Sequence, residues 1–191
     1  MKTGRLEAFS DGVLAIITTI MVLELKIPEG VSFKALQPMM PIFVSYILSF
    51  IYVGIYWNNH HHLLHAVNKV NGTILWANLN LLFWLSLFPF TTAWMGEHEF
   101  QPNPIALYGF VLFMAALSFK ILIFIILKSE GKNSNLGKVY SGDKRINSSL
   151  VLYILGIALS FFQPLISFAL YLIVAIMWIV PDKRIEKILK E

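Results

Sequence analysis

The sequence predicts an all-α polytopic membrane protein, a single domain over residues 1–191 with six transmembrane helices. Three observations predict it. Composition is the first: 57% of the 191 residues are hydrophobic and 14% charged, with a mean hydropathy of +0.69. Soluble domains are nearer 45–50% apolar and about 25% charged. The second is a set of six apolar runs close to the roughly 20 residues that cross about 30 Å of hydrocarbon. The third is the placement of cations, which gather in alternate connecting segments. The absence of cysteine excludes a disulfide framework, a thiolate metal site and a Cys nucleophile.

Helices are expected over about 5–26, 38–60, 73–95, 104–128, 147–162 and 165–181. The apolar part of the first, Phe9–Leu25, opens on Ser10-Asp11 and closes at Glu24, and no small-residue cleavage site follows, so it does not read as a signal peptide. The second run extends from about Pro38 to Trp57, the third over Ile74–Trp94 and the fourth over Ile105–Leu127. The last apolar stretch, Ser148 to Val180, is too long for one span. Gln163-Pro164 near its middle predicts a tight turn, because proline removes a backbone donor and disfavours helix at the residue before it. One long kinked helix is the alternative. Residues 128–147, rich in Lys, Gly, Asn and Ser, read as the linker.

Six spans place both termini and the 58–73 and 128–147 loops on one side. That side carries Lys2, Arg5, Lys69, Lys128, Lys132, Lys138, Lys144, Arg145, Lys183, Arg184, Lys187 and Lys190, against only Lys26 and Lys34 opposite. The positive-inside bias therefore predicts a multi-pass protein of the cell membrane with both termini cytoplasmic. Lys120 falls in the inner half of the fourth span, where its long stem can snorkel toward water.

The first helix differs from the rest in carrying Arg5, Glu7, Ser10, Asp11, Thr18, Thr19 and Glu24. At about 100° per residue, Arg5, Phe9, Gly12, Ile16, Thr19, Ile20 and Leu23 share one face roughly 100° wide. Asp11 points nearly opposite. An intramembrane carboxylate is expensive and turns toward protein or water. Its partners are expected at the inner end of helix two, which reads Trp57-Asn58-Asn59-His60-His61-His62 and then His65. The expected polar cluster sets Arg5, Phe9, Ser10 and Asp11 against Trp57, Asn58, His61 and His62, with adjacency leaving open which of His60, His61 and His62 joins. A structural knot at a helix end is one reading of it; a pH-sensing or proton-linked role is the other.

His61 and His65, or His62 and His65, have the spacing of metal ligands on one helix face. Histidine-box oxygenases need more such clusters than five histidines supply. No catalytic metal, cofactor or nucleic-acid partner is expected. With no G-x-S-x-G, H-E-x-x-H or phosphate-cradling glycine loop, the chain does not read as an enzyme.

The run Arg5-x-x-x-Phe9-Ser10-Asp11-Gly12-Val13-x-Ala15-Ile16-x-x-Thr19 resembles the first-helix signature of the transmembrane protein 175 family of potassium channels. Trp57-x-x-x-His61-His62, Leu87-Phe88-Pro89-Phe90 and the six-span layout are similar to it as well. The likeness is most specific over residues 5–23 and rests on hydropathy beyond about residue 95. It implies the bacterial form, a homotetramer of single six-helix units whose pore is lined by four copies of helix one and passes potassium ions across the bilayer. Ile16, Ile20 and Leu23 would then form the constriction and hydrophobic gate, with Thr19 and Ile16 setting selectivity. No Thr-Val-Gly-Tyr-Gly loop is present, so no carbonyl filter replaces the ion's hydration shell. A proton-coupled secondary transporter using Asp11 and the helix-two histidines is the competing reading. Transporters commonly show internal repeats and broken mid-membrane helices, and neither is evident here.

Overall fold

The computed structural model describes residues 3–65, 67, 69–131, 137, 140 and 143–179. Regular structure among them is helical throughout: α1 (Thr3–Leu23), α2 (Met40–His65), α3 (Gly72–Ser86), α4 (Phe88–Glu97), α5 (Pro102–Glu130), α6 (Arg145–Ser160) and α7 (Pro164–Ile179). A 3-10 segment, Phe33–Met39, precedes α2. Four stretches, Thr3–Leu23, Phe33–His65, Gly72–Glu97 and Pro102–Glu130, are long and apolar enough to cross a membrane. With 16 residues each, α6 and α7 are about 24 Å long. Lys2, Lys132, Lys138, Lys183, Arg184, Lys187 and Lys190, with the expected end of the last helix at 181, lie outside the described residues.

Proline punctuates the bundle. The segment expected as one helix over 73–95 is divided at Leu87 into α3 and α4. Pro89 lacks an N–H and its ring crowds the carbonyl one turn back, so the helix cannot run through unbroken. At the start of α3, the Asn71 side chain accepts a hydrogen bond from the Ile74 amide at 2.9 Å, capping a donor that the helix leaves unsatisfied. The last apolar stretch folds as a hairpin and not as one kinked helix. Helix α6 stops at Ser160 and Pro164 opens α7, a first-turn position where the missing N–H has no cost. Trp178, late in α7, donates to Ser149, early in α6, at 2.9 Å, so the two run antiparallel.

Close packing of α5, α6 and α7 depends on two glycines. A Cβ on Gly109 would lie 1.9 Å from Tyr171 Oη, and one on Gly156 would lie 2.4 Å from Tyr171 Cε1. The ring is thus wedged where no side chain fits, and small residues at such contacts let backbones approach. Polar atoms inside this core bond one another: Thr92 Oγ1 donates to Ser49 Oγ (2.7 Å), which bonds Tyr108 Oη (2.9 Å). Tyr153 Oη donates to Tyr52 Oη (3.2 Å), which donates to the Tyr171 carbonyl (2.5 Å). A buried hydroxyl left unpaired in an apolar medium would destabilise the bundle, and these chains avoid that.

Helix α1 packs on α2, α3 and α4, whereas α6 packs on α5 and α7. The pore candidate and the α5–α6 pair therefore occupy opposite sides of the bundle. At one end of α1, Lys26 pairs with Glu97. The other end meets the last turns of α2, through Trp57, and the first half of α3, through Asn78.

Candidate pore helix and the polar cluster at its N-terminal end

Helix α1 has two unlike faces. Leu6, Ser10, Leu14, Ile17 and Met21 are buried against the bundle. Arg5, Phe9, Gly12, Ile16, Thr19, Ile20 and Leu23 are all exposed, Ile16 at 61% and Leu23 at 74%. The spacing of four, four, three and four along the buried set is one stripe of a 3.6-residue helix, and the exposed set is the stripe opposite. Within it, the Thr19 hydroxyl donates to its own Ala15 carbonyl at 2.9 Å. Its proton is engaged by the helix, so the oxygen is left as an acceptor.

Where α1 meets α2, side chains pair in successive rungs. Trp57 Nε1 donates to Asp11 Oδ1 at 3.1 Å, and His61 Nδ1 lies 2.6 Å from Glu7 Oε1. Each pair of partners is four residues apart on its own helix and the helices run antiparallel, so the rungs are one turn apart. The His61 ring stacks between Trp57 and His65, with centroids at 6.2 and 5.9 Å and interplanar angles of 23° and 24°. From the Asp11–Trp57 rung toward the C-terminal end of α1 the same seam opens into a groove of about 240 Å³, lined beyond those two residues by Leu14, Ala15, Thr18, Phe50, Val53 and Gly54.

Behind the rungs lies a fully buried chain of hydrogen bonds. Ser10 Oγ donates to the Leu6 carbonyl at 2.8 Å, Asn78 Nδ2 donates to Ser10 Oγ at 3.0 Å, and Asn78 Oδ1 faces His60 Nε2 at 2.6 Å. The direction follows from the first link. The serine proton is spent on Leu6, so the amide must donate to its oxygen; the amide oxygen then faces the imidazole, and His60 carries its proton on Nε2. Among the described residues His60 Nδ1 has no hydrogen-bond partner. A second ring proton there would be buried against apolar atoms, so the chain holds a neutral imidazole.

The structure thus brings Ser10, Asp11, Trp57 and His61 together. Arg5 and Phe9 stand on the exposed stripe instead. Asn58 makes no hydrogen bond among the described residues, and His62 meets His61 edge to face at 5.6 Å. Two members escaped sequence reasoning, Glu7 and Asn78, while His60 was one of the three adjacent histidines left open. An amide at position 78, within an otherwise apolar run, was the available signal for Asn78. Among the described residues no three His, Asp or Glu side chains group to hold a metal ion.

A family model described as the endosomal/lysosomal potassium channel TMEM175 matches residues 5–89. A protein of Chryseobacterium sp. (strain P1-3), named a potassium channel, is 59% identical over 191 residues, covering 100% of both chains. Another so named, from Streptomyces collinus, is 35% identical over 129 residues, 63% of each. The crystal structure of a lysosomal potassium-selective channel TMEM175 homolog from Chamaesiphon minutus superposes with a TM-score of 0.78 at 27% identity, covering 93% of this chain and 96% of that one. With the Chryseobacterium relative 59% identical from end to end and a TMEM175 homolog sharing the fold, this chain belongs to the TMEM175 family.

Proposed function

We propose that the protein is a subunit of a potassium-selective channel of the cell membrane, both termini cytoplasmic, in which four copies set the exposed stripe of α1 around a central pore. The single observation carrying this is the two-faced α1. Its buried face is fixed by packing and hydrogen bonds, while Ile16, Ile20 and Leu23 project from the bundle with nothing among the described residues to cover them. The names of the bacterial relatives, and of the solved homolog, point to the same ion.

Ile16 forms the narrowest ring, with Ile20 and Leu23 farther along. A tight ring of branched apolar side chains excludes water and gates by dewetting. Such a ring favours the cation that gives up its hydration more cheaply, potassium over sodium. Thr19, whose oxygen is free to accept, offsets part of the dehydration. The resulting preference is moderate, because no carbonyl ladder is present. Asp11, Ser10 and their partners hold the inner end of α1 to its own subunit, a structural role and not a catalytic one.

Reconstitution into liposomes tests this. Potassium flux should follow the imposed gradient without a co-substrate. Ile16→Asn should wet the ring, raising flux and lowering the potassium-to-sodium ratio. Flux through Ile16→Asn equal to wild type would place the constriction elsewhere, and a fixed coupling to protons would make the protein a transporter.

A further inference from the structure

Lys120 has no part in the pore, yet its position is unusual. It lies on α5 ten residues before the helix ends at Glu130, about 15 Å up the helix, and its side chain is exposed. Ile121 and Phe124 beside it are exposed too, as are Val151 and Ile154 on the neighbouring α6. A cation on an apolar surface needs an anion or water. The ammonium donates to Asn147 Oδ1 at 2.8 Å, a neutral acceptor. Asp143, the acidic residue just before α6, is already taken: Arg145 grips it through Nε and Nη2 at 3.1 and 2.8 Å. Arg145 also sits over the Trp178 ring, 4.7 Å from its centroid. An Arg–Trp pair at this level marks the water–lipid boundary.

We propose that Lys120, oriented by Asn147, binds the phosphodiester of an anionic phospholipid in the inner leaflet, with the acyl chains lying along Ile121, Phe124, Val151 and Ile154. The ammonium, which meets no carboxylate among the described residues, supplies the attraction, and the flanking apolar face favours a lipid over a free anion. The site rests on the membrane placement given above, with α1 toward the axis and the α5–α6 side toward lipid.

Binding is measured by native mass spectrometry on the full chain in detergent, titrated with phosphatidylglycerol or with zwitterionic phosphatidylcholine. A lysine near a membrane surface contributes about fivefold in affinity for an anionic lipid. The wild type and Lys120→Arg should each show roughly that preference for phosphatidylglycerol, and Lys120→Gln should lose it. Asn147→Asp should lose it as well, since it gives the lysine an internal counter-charge while leaving the lysine in place. The proposal is overturned if the wild type binds both lipids alike, or if Lys120→Gln or Asn147→Asp keeps the preference. Potassium flux read on the same preparation separates the two ideas. Lipid preference without flux would refute the channel and leave the site standing; flux without lipid preference would refute the site alone.

Discussion

Asn78→Leu puts the buried chain behind the rungs to a quantitative test. The native amide is fully buried and makes two hydrogen bonds, to Ser10 and to His60. Interhelical bonds of this kind inside membranes average about 0.6 kcal/mol and reach roughly 1.7. Ser10 loses little, because its own proton stays on Leu6. His60 loses more, since its Nε2–H would be buried without an acceptor, a penalty of about 1–3 kcal/mol. The single variant should therefore be destabilised by about 2–4 kcal/mol. Replacing both partners removes the orphan: His60→Leu with Asn78→Leu should cost at least about 1 kcal/mol less than the two singles summed. Reversible unfolding in mixed micelles, read by tryptophan fluorescence, gives all four corners of the cycle. Additivity within about 0.5 kcal/mol would show that the imidazole and the amide do not depend on each other, and the argument for a fixed neutral His60 would fall with it.

Gly109→Ala should lower stability by about 1–3 kcal/mol, seen as a lower thermal midpoint in detergent. Tyr171→Phe should rescue it only in part, because the ring carbon Cζ is still 2.4 Å from the added Cβ. Asp11→Ala removes the acceptor of the Trp57 indole and should reduce the yield of assembled protein on size-exclusion chromatography more than it alters ion preference in the surviving fraction. Abolished pH dependence in a well-assembled Asp11→Ala channel would instead give the carboxylate a gating role. Glu7→Gln at the lower rung, which is partly solvent-exposed, should cost under about 1 kcal/mol in the same unfolding assay.

Much of this architecture is written in local chemistry. Four long spans follow from hydropathy, and the turn at Gln163-Pro164 follows from what proline does to a backbone. The stripe on α1 is legible for a similar reason: a helix that must pack on one side and stay open on the other repeats the division every 3.6 residues. What stayed hidden depends on pairings across the bundle. His60, His61 and His62 are interchangeable in sequence, and only the register of α1 against α2 and α3 sends His60 inward to Asn78 and His61 outward to Glu7. Arg5 shows the converse. Its charge suggested a partner for Asp11, but it sits on the stripe six residues earlier, about 120° around the helix from the carboxylate. The break at Leu87 was also visible in Pro89, but the apolar run continued on both sides and masked it.

How α1 is held bears on how it could open. Its N-terminal end is fastened by the two rungs and by the Ser10–Asn78 chain, all within one helical stretch from Glu7 to Asp11. One and two turns farther along, at the depth of Ile16 and Thr19, the same seam is lined by Ala15 and Gly54 and leaves a groove of about 240 Å³. Dense packing makes protein interiors stiff, so a helix pinned by polar contacts at one end and bordered on one flank by open space beyond them yields first in the part beside that space. In the proposed tetramer that part carries the constriction. Widening of the Ile16 ring then needs only a bend of α1 above Asp11 into space already present, with the polar cluster intact as the pivot. Filling the groove from the α2 side with Gly54→Leu, a position where an added Cβ meets nothing within 4 Å, should therefore leave folding and assembly unchanged while lowering potassium flux severalfold. Undiminished flux in a Gly54→Leu protein of normal stability would mean that the pore opens without using this space.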